Sequence, residues 1–146
     1  MIEHVLGALP AATDEEMAAF RRATRDLYDL KERAFAAGDA EPIVQSFYAE
    51  DAVTVKPDGQ SVEGRAAFRE MYTRMVKDKT VRIESWKSYV RGNAGWDWTN
   101  FHVLPNDPAN PGSTFVILFL WTKGERGWVC GGDMFVAGER AVGPAD

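Results

Sequence analysis

Cysteine occurs once in the 146 residues, at Cys130, and histidine twice, at His4 and His102. A lone cysteine closes no intrachain disulfide, and a reducing compartment is its simplest home. The two histidines lie far apart in sequence, and no HExxH, CxxC, GxxxxGK(S/T) or GxGxxG pattern occurs. Metal, P-loop and dinucleotide readings therefore have no support, and neither metal nor cofactor is expected. Basic residues are in deficit, 17 Lys and Arg against 22 Asp and Glu, for a net charge of −5. A general nucleic-acid binder carries the opposite excess, so no nucleic-acid partner is expected. No apolar run approaches the roughly 18 residues of a transmembrane helix, so no membrane partner is expected. The opening MIEHVLGALPAATDEE has an acid at Glu3 and no basic stretch, which makes it a poor signal peptide. These absences leave a cytoplasmic domain as the expectation.

What is present fits one globular domain. Apolar residues make up 45% and charged residues 27%, a balance that supports a core. A chain of this size buries roughly two thirds of its unfolded surface and needs no staple. Five tryptophans and an aromatic share of 12% supply walls for a pocket or bulk for a core. The reading divides the chain into a flexible arm over 1–12, a single domain over 13–138 and a frayed tail over 139–146.

The local signals place helices first. Thr13-Asp14-Glu15-Glu16 is a capping box, which starts a helix over about 14–37. Phe20, Ala23, Leu27, Leu30 and Ala34 form its apolar stripe, and Gly38 stands where a C-cap glycine belongs. The charges between Arg21 and Arg33 read as its solvated face. Asp39 caps a short second helix through Ile43, Val44 and Phe47. A short strand over 52–56, an Asp58-Gly59 turn and a returning arm over 60–63 follow. Gly64 opens a third helix, with Phe68, Met71, Tyr72 and Met75 on one face. The second half reads as four strands, over 81–90, 96–104, 114–122 and 128–136. In the first of them Val81, Ile83 and Ser85 alternate with Arg82, Glu84 and Trp86. The strand over 114–122 is nearly all apolar, so both its faces should be covered. The layout predicts an α+β fold, with three helices packed on one face of a curved antiparallel sheet that forms a cone. A cavity between sheet and helices is the natural ligand site.

Order and residues together resemble the SnoaL-like branch of the nuclear transport factor 2-like (NTF2-like) superfamily. The likeness is carried by 36–39 (AAGD), 47–53 (FYAEDAV), 57–59 (PDG), 64–68 (GRAAF) and 127–135 (GWVCGGDMF), and it covers roughly residues 20 to 137. It implies the cone-shaped α+β fold and, for the superfamily's enzymes, acid–base chemistry without a cofactor. It does not choose among isomerases, cyclases, dehydratases, epoxide hydrolases, lyases and plain binding domains, because the fold hosts them all.

Asp133 is the leading candidate for chemistry. It stands in an otherwise apolar final strand, where a carboxylate is costly unless it is paired or faces a cavity. In similar epoxide hydrolases the matching D-x-F carboxylate points into the cone. Gly131 is two residues back on the same face and leaves space beside it. A carboxylate in such a pocket suits general acid or base work. The alternative is a structural Asp held by backbone or by an interface arginine.

Asp97 is second, as a carboxylate partner for Asp133 or as an exposed outer-face Asp. The resemblance sets Asp97 and Thr99 where epoxide hydrolases carry an Arg and an Asp, and sets Val53 and Val55 where they hold water with a Tyr and an Asn. That mechanism is therefore not expected here. His102 is third, although alternation puts it on the opposite face from Asp97. Dehydratase-like relatives pair a His with an Asp late in the first helix, where this chain has Ala37. Tyr48 and Tyr72 could donate to a developing oxyanion, as ketosteroid isomerase uses a Tyr, or could stand at the core edge. Tyr28 is a weaker candidate of the same kind. Trp86, Trp98, Thr99, Phe115, Phe119 and Trp121 are candidate cavity walls, or sheet-face packing. Cys130 reads as a small buried residue.

Two classes of function follow. One is a cofactor-independent isomerase, cyclase, dehydratase or lyase acting on a hydrophobic small molecule, aromatic or polycyclic bodies included. The other is a non-catalytic domain that binds a small ligand or a protein. Either is expected as a homodimer joined through the open sheet face.

Overall fold

The computed structural model describes residues 10–140. The expected arm over 1–12 and tail over 139–146 fall for the most part outside the described residues. Helix α1 (Asp14–Ala37) begins and ends where its caps require. The Thr13 hydroxyl accepts from the Glu16 N–H at 3.0 Å, and the Glu16 carboxylate accepts from the Thr13 N–H at 3.0 Å. Gly38 closes the helix with φ 66°, in the left-handed region where a Cβ is penalised. The expected second helix is a π-helical turn, Ile43–Phe47. It leads directly into β1 (Tyr48–Val55), which starts four residues earlier than the 52–56 expectation. Then come β2 (Ser61–Glu63), helix α2 (Arg65–Met75), β3 (Lys79–Arg91), β4 (Ala94–Pro105), β5 (Ser113–Gly124) and β6 (Gly127–Ala137). No helix among the described residues is long and apolar enough to cross a membrane.

The six strands form one sheet in the order β2-β1-β6-β5-β4-β3. The expectation of a purely antiparallel sheet needs one correction: β1 and β6 run parallel, so the sheet is mixed. The long hairpins β3–β4–β5–β6 are antiparallel, β3–β4 and β5–β6 joined by two-residue turns and β4–β5 by the loop 106–112. The last strand then lies beside β1, which entered from the helices. The helices cover the concave face.

Alternation along β4 sends Asp97, Thr99, Phe101 and Val103 into the concave side, and Trp96, Trp98, Asn100, His102 and Leu104 to the convex side. Two bulges reset this phase elsewhere. In β3 Trp86 is the extra residue, between the Ser85–Thr99 and Lys87–Trp98 pairs. In β6 Gly131 is the extra residue, between the Cys130–Trp121 and Gly132–Leu120 pairs. Gly131 is therefore a bulge and not a same-face neighbour of Asp133. The bulge lets both Cys130 and Asp133, three residues apart, point inward. Its next residue, Gly132, admits no side chain, since a Cβ there would lie 2.3 Å from the Val53 carbonyl oxygen of β1.

The core is strongly aromatic. Tyr28 of α1 meets Phe47, Phe119 and Trp121 at centroid distances of 6.3, 5.3 and 5.9 Å. The buried stripe of α1 is Phe20, Thr24, Tyr28, Lys31, Ala34 and Phe35. It is turned by about one residue from the expected stripe, so Leu27 and Leu30 are only half-buried.

Part of the convex face stays uncovered among the described residues. Leu120, Met134 and Val136 are about half exposed, at 47%, 50% and 53%. The outer side of β5 is therefore partly open among the described residues, the face that the expected homodimer would cover.

Candidate active site

A cavity of about 400 Å³ lies between α1, α2 and the concave sheet. Its walls are Met71 and Met75 of α2, Phe101 and Val103 of β4, Phe115 and Ile117 of β5, and Phe135 of β6. Asp133 stands in this apolar wall. Its carboxylate accepts from the Tyr48 hydroxyl at 2.5 Å through Oδ2 and from the Thr54 hydroxyl through Oδ1. Thr54 is placed by register, because the parallel β1–β6 pair sets it directly opposite Asp133. A carboxylate offers about four lone-pair sites, and these two bonds leave capacity facing the cavity.

The group completing the site was missed by the sequence reading, which assigned the charges of α1 to solvent. Lys31 is 1% exposed and lines the same cavity. Its Nζ donates to the Tyr48 hydroxyl at 2.6 Å. It also sits 4.4 to 5.5 Å from the ring centroids of Phe47, Tyr48, Tyr72, Phe119 and Phe101. Burial pushes the Lys31 amine down to about 8, and the negative charge of Asp133 limits the fall. A usable signal existed in the helix period, since Lys31 is eleven residues from Phe20, three from Tyr28 and four from Phe35. Residue type argued the other way, because lysine is rarely buried fully.

The bonds around Tyr48 follow from its inventory. The phenol has one proton and two lone pairs. Its proton goes to Asp133 and one lone pair to Lys31, so the Tyr72 hydroxyl at 2.9 Å donates into the other. Burial, followed by the nearby Asp133 charge, pushes both phenols well above their ordinary value, so they act as donors. Lys31, Tyr48 and Asp133 thus form a chain along which a proton can move, with Tyr72 lining the cavity beside it.

Asp97 also points inward but is fully enclosed. Tyr28 donates to its Oδ2 at 2.6 Å, and Ser85 and Ser88 each donate to Oδ1 at 2.7 Å. Ser85 and Ser88 flank the Trp86 bulge, which brings both hydroxyls to one face. Asp97 and Asp133 share the row Asp97–Phe119–Asp133 across three strands, so the Phe119 ring position separates them. The expected carboxylate pair is therefore not in contact. The outer-face alternative for Asp97 is also corrected.

The remaining candidates divide by face. Phe119 and Thr99 point inward, with Thr99 Oγ1 donating to the Ile117 carbonyl at 3.0 Å. Phe119 packs in the aromatic core under Lys31. Trp86 and Trp98 stack on each other at 5.8 Å on the convex face and do not wall the cavity. Trp98 is forced there by alternation with Asp97 and Thr99, and Trp86 by alternation with Ser85. His102 is also convex, with Nδ1 3.0 Å from the Thr114 hydroxyl and Nε2 3.4 Å from Glu84. No bulge in β4 carries it to the cavity, so it does not meet Asp133. Cys130 is buried, its thiol raised by that burial, and donates to the Gly132 carbonyl at 3.1 Å. Among the described residues no cluster of three or more His, Cys, Asp or Glu side chains is placed to hold a metal ion.

Solved structures share this architecture. An NTF2-like protein with a cystatin-like fold from Novosphingobium aromaticivorans superposes with a TM-score of 0.69 at 15% identity, covering 88% of this chain and 92% of that one. A candidate dehydratase of the NTF2-like family from Streptomyces avermitilis superposes at 0.66 with 12% identity, covering 80% and 94%. A ketosteroid isomerase-like protein from Erwinia carotovora atroseptica superposes at 0.63 with 14% identity, covering 80% and 94%. At these identities the likeness speaks for the fold alone. No curated protein sequence matches the chain. The SnoaL-like domain model matches residues 15–129, most of the chain up to the start of β6, and the protein belongs to that family.

Proposed function

We propose that the protein is a cofactor-independent acid–base enzyme of the isomerase, cyclase, dehydratase or lyase type, acting on a hydrophobic small molecule held in the cone. The observation that carries this reading is the Asp133 carboxylate in an apolar cavity wall, joined through Tyr48 to a buried lysine. Asp133 is the base that takes a proton from a carbon next to a carbonyl. Negative charge then develops on the carbonyl oxygen, where the Lys31 charge stabilises it among apolar walls, while the Tyr72 hydroxyl holds Tyr48 in place. Return of the proton to another carbon gives isomerisation, and loss of a leaving group gives elimination. Lys31 and Tyr48 fill the partner role that the sequence suggested for Asp97 or His102. The neighbours described as dehydratase and ketosteroid isomerase-like support chemistry of this class on this fold.

The test uses a panel of apolar ketones, polycyclic and aromatic members included, incubated with the protein in D₂O. Deuterium uptake at carbon is read by mass spectrometry. Wild type is expected to exchange at least one member, and Asp133→Asn to lose about 10² to 10⁴ in rate, the usual range for a positioned base. Equal rates in the two proteins would sink the reading. Ligands that bind without exchange in either protein would move it to a non-catalytic binding domain.

We also propose a homodimer through the convex face, supported by the half-exposed Leu120, Met134 and Val136. Light scattering behind size exclusion checks it, and a monomer at micromolar concentration rejects it. A cytoplasmic home is proposed on the single buried cysteine.

A further inference from the structure

The charge inside the cavity runs against the charge of the chain. The chain is −5 overall, yet three lysines, Lys31, Lys56 and Lys79, line the cavity against one carboxylate, Asp133. The strand register fixes where these charges stand. Lys56 follows the last residue of β1, and Lys79 is the first residue of β3, opposite Pro105 at the end of β4. Ser113 opens β5 opposite Val103. All four places belong to one end of the cone, while Lys31 lies deep within it, bonded to Tyr48. The cavity is thus apolar along its length and cationic at its mouth.

Among the described residues neither mouth lysine is spent elsewhere. Lys79 meets only its exposed neighbour Asp78, at 3.3 Å, with side-chain exposures of 26% and 74%. Such a contact is worth little and is readily exchanged for a better anion. Lys56 is half-buried and forms no ion pair among the described residues. Half-buried cations beside apolar walls are costly until an anion joins them.

We propose that the cavity takes an anionic amphiphile, an apolar body that carries a carboxylate, sulfonate or similar acid group seated between Lys56 and Lys79. This deepens the acid–base reading by naming the substrate class. The anionic end anchors the molecule at the mouth, and the uncharged reacting carbon is carried inward to Asp133. A neutral ligand of the same body would leave both mouth lysines without a partner.

Two dyes of nearly the same body test this by fluorescence titration: 1-anilinonaphthalene-8-sulfonate, which is anionic, and N-phenyl-1-naphthylamine, which lacks the sulfonate. Wild type is expected to bind the sulfonate about tenfold more tightly than the neutral dye, the scale of one good charge contact. The double variant Lys56→Gln/Lys79→Gln should lose that preference and keep its affinity for the neutral dye. A control with the same loss of charge at exposed positions, Lys87→Gln/Lys123→Gln, should behave as wild type. The proposal is overturned if wild type binds both dyes alike, if the control loses as much as the mouth variant, or if the mouth variant loses both dyes equally. Failure here is separable from failure of the acid–base reading. Asp133→Asn should still bind the sulfonate, and a lost preference leaves the exchange rates of wild type and Asp133→Asn untouched.

Discussion

Asp97 and Asp133 are both buried carboxylates on the concave face, in strands two apart, each near a bulge that brings hydroxyl or carboxyl groups to one side. Their surroundings differ. Asp97 takes three hydroxyls and does not line the cavity that holds Asp133, so its oxygens are met by fixed donors. Asp133 takes two hydroxyls, keeps capacity toward open space and is linked to Lys31. The first arrangement ties α1 to β3 and β4. The second holds a base ready for a molecule that is not part of the protein. Burial of an acid does not by itself mark a catalytic group; unfilled acceptor capacity at a cavity does.

The comparison is broken most sharply by paired variants. Asp97→Ala strands the buried Tyr28 hydroxyl and the part-buried hydroxyls of Ser85 and Ser88, and should lower unfolding free energy by about 3 kcal/mol. Asp133→Asn keeps the shape and one acceptor oxygen, the Thr54 hydroxyl being free to turn and accept, and should lower it by about 1 kcal/mol, while removing turnover. Urea denaturation of both proteins decides the point, and equal losses of stability would erase the distinction.

A second effect separates the sites by pH. Lys31 releases its proton near pH 8 in the fold and near 10.5 when unfolded. Between these values the unfolded chain binds more protons, so stability rises with pH there, and the full cost of the buried charge is present below about 8. Relative to Lys31→Met, wild type should gain up to about 3 kcal/mol across that window. A pH-independent difference between the two proteins would show that Lys31 is not held with a lowered pKa. The smallest effect is expected at Tyr72→Phe. Loss of one hydroxyl beside the Asp133 chain should cost about tenfold in turnover, near 1.4 kcal/mol, with stability within about 1 kcal/mol. A variant of Tyr72 that turns over as wild type would confine its role to packing.

Much of the fold was legible because its signals are local. The capping box at Thr13, the left-handed Gly38, the Asp58-Gly59 turn and the alternation of β3 and β4 each depend on a few neighbouring residues. Asp133 stood out for a local reason too, as one acid in an apolar strand. Lys31 did not, because a lysine in a charged helix looks solvated until the sheet closes over it. Trp86 and Trp98 looked like pocket walls by residue type, yet strand phase sent both outward.

Residue order and composition alone settled the helices, the strands, the α+β class and the presence of an acid in the last strand. Tertiary structure decided which groups meet. The parallel docking of β1 on β6 put Thr54 and Tyr48 on Asp133, and the Gly131 bulge turned Asp133 inward. Packing of α1 against the sheet drew Lys31 into the aromatic core. Those contacts join residues 17 to 85 positions apart, and a pattern read over a few neighbours carries no information about which distant side chains share a cavity.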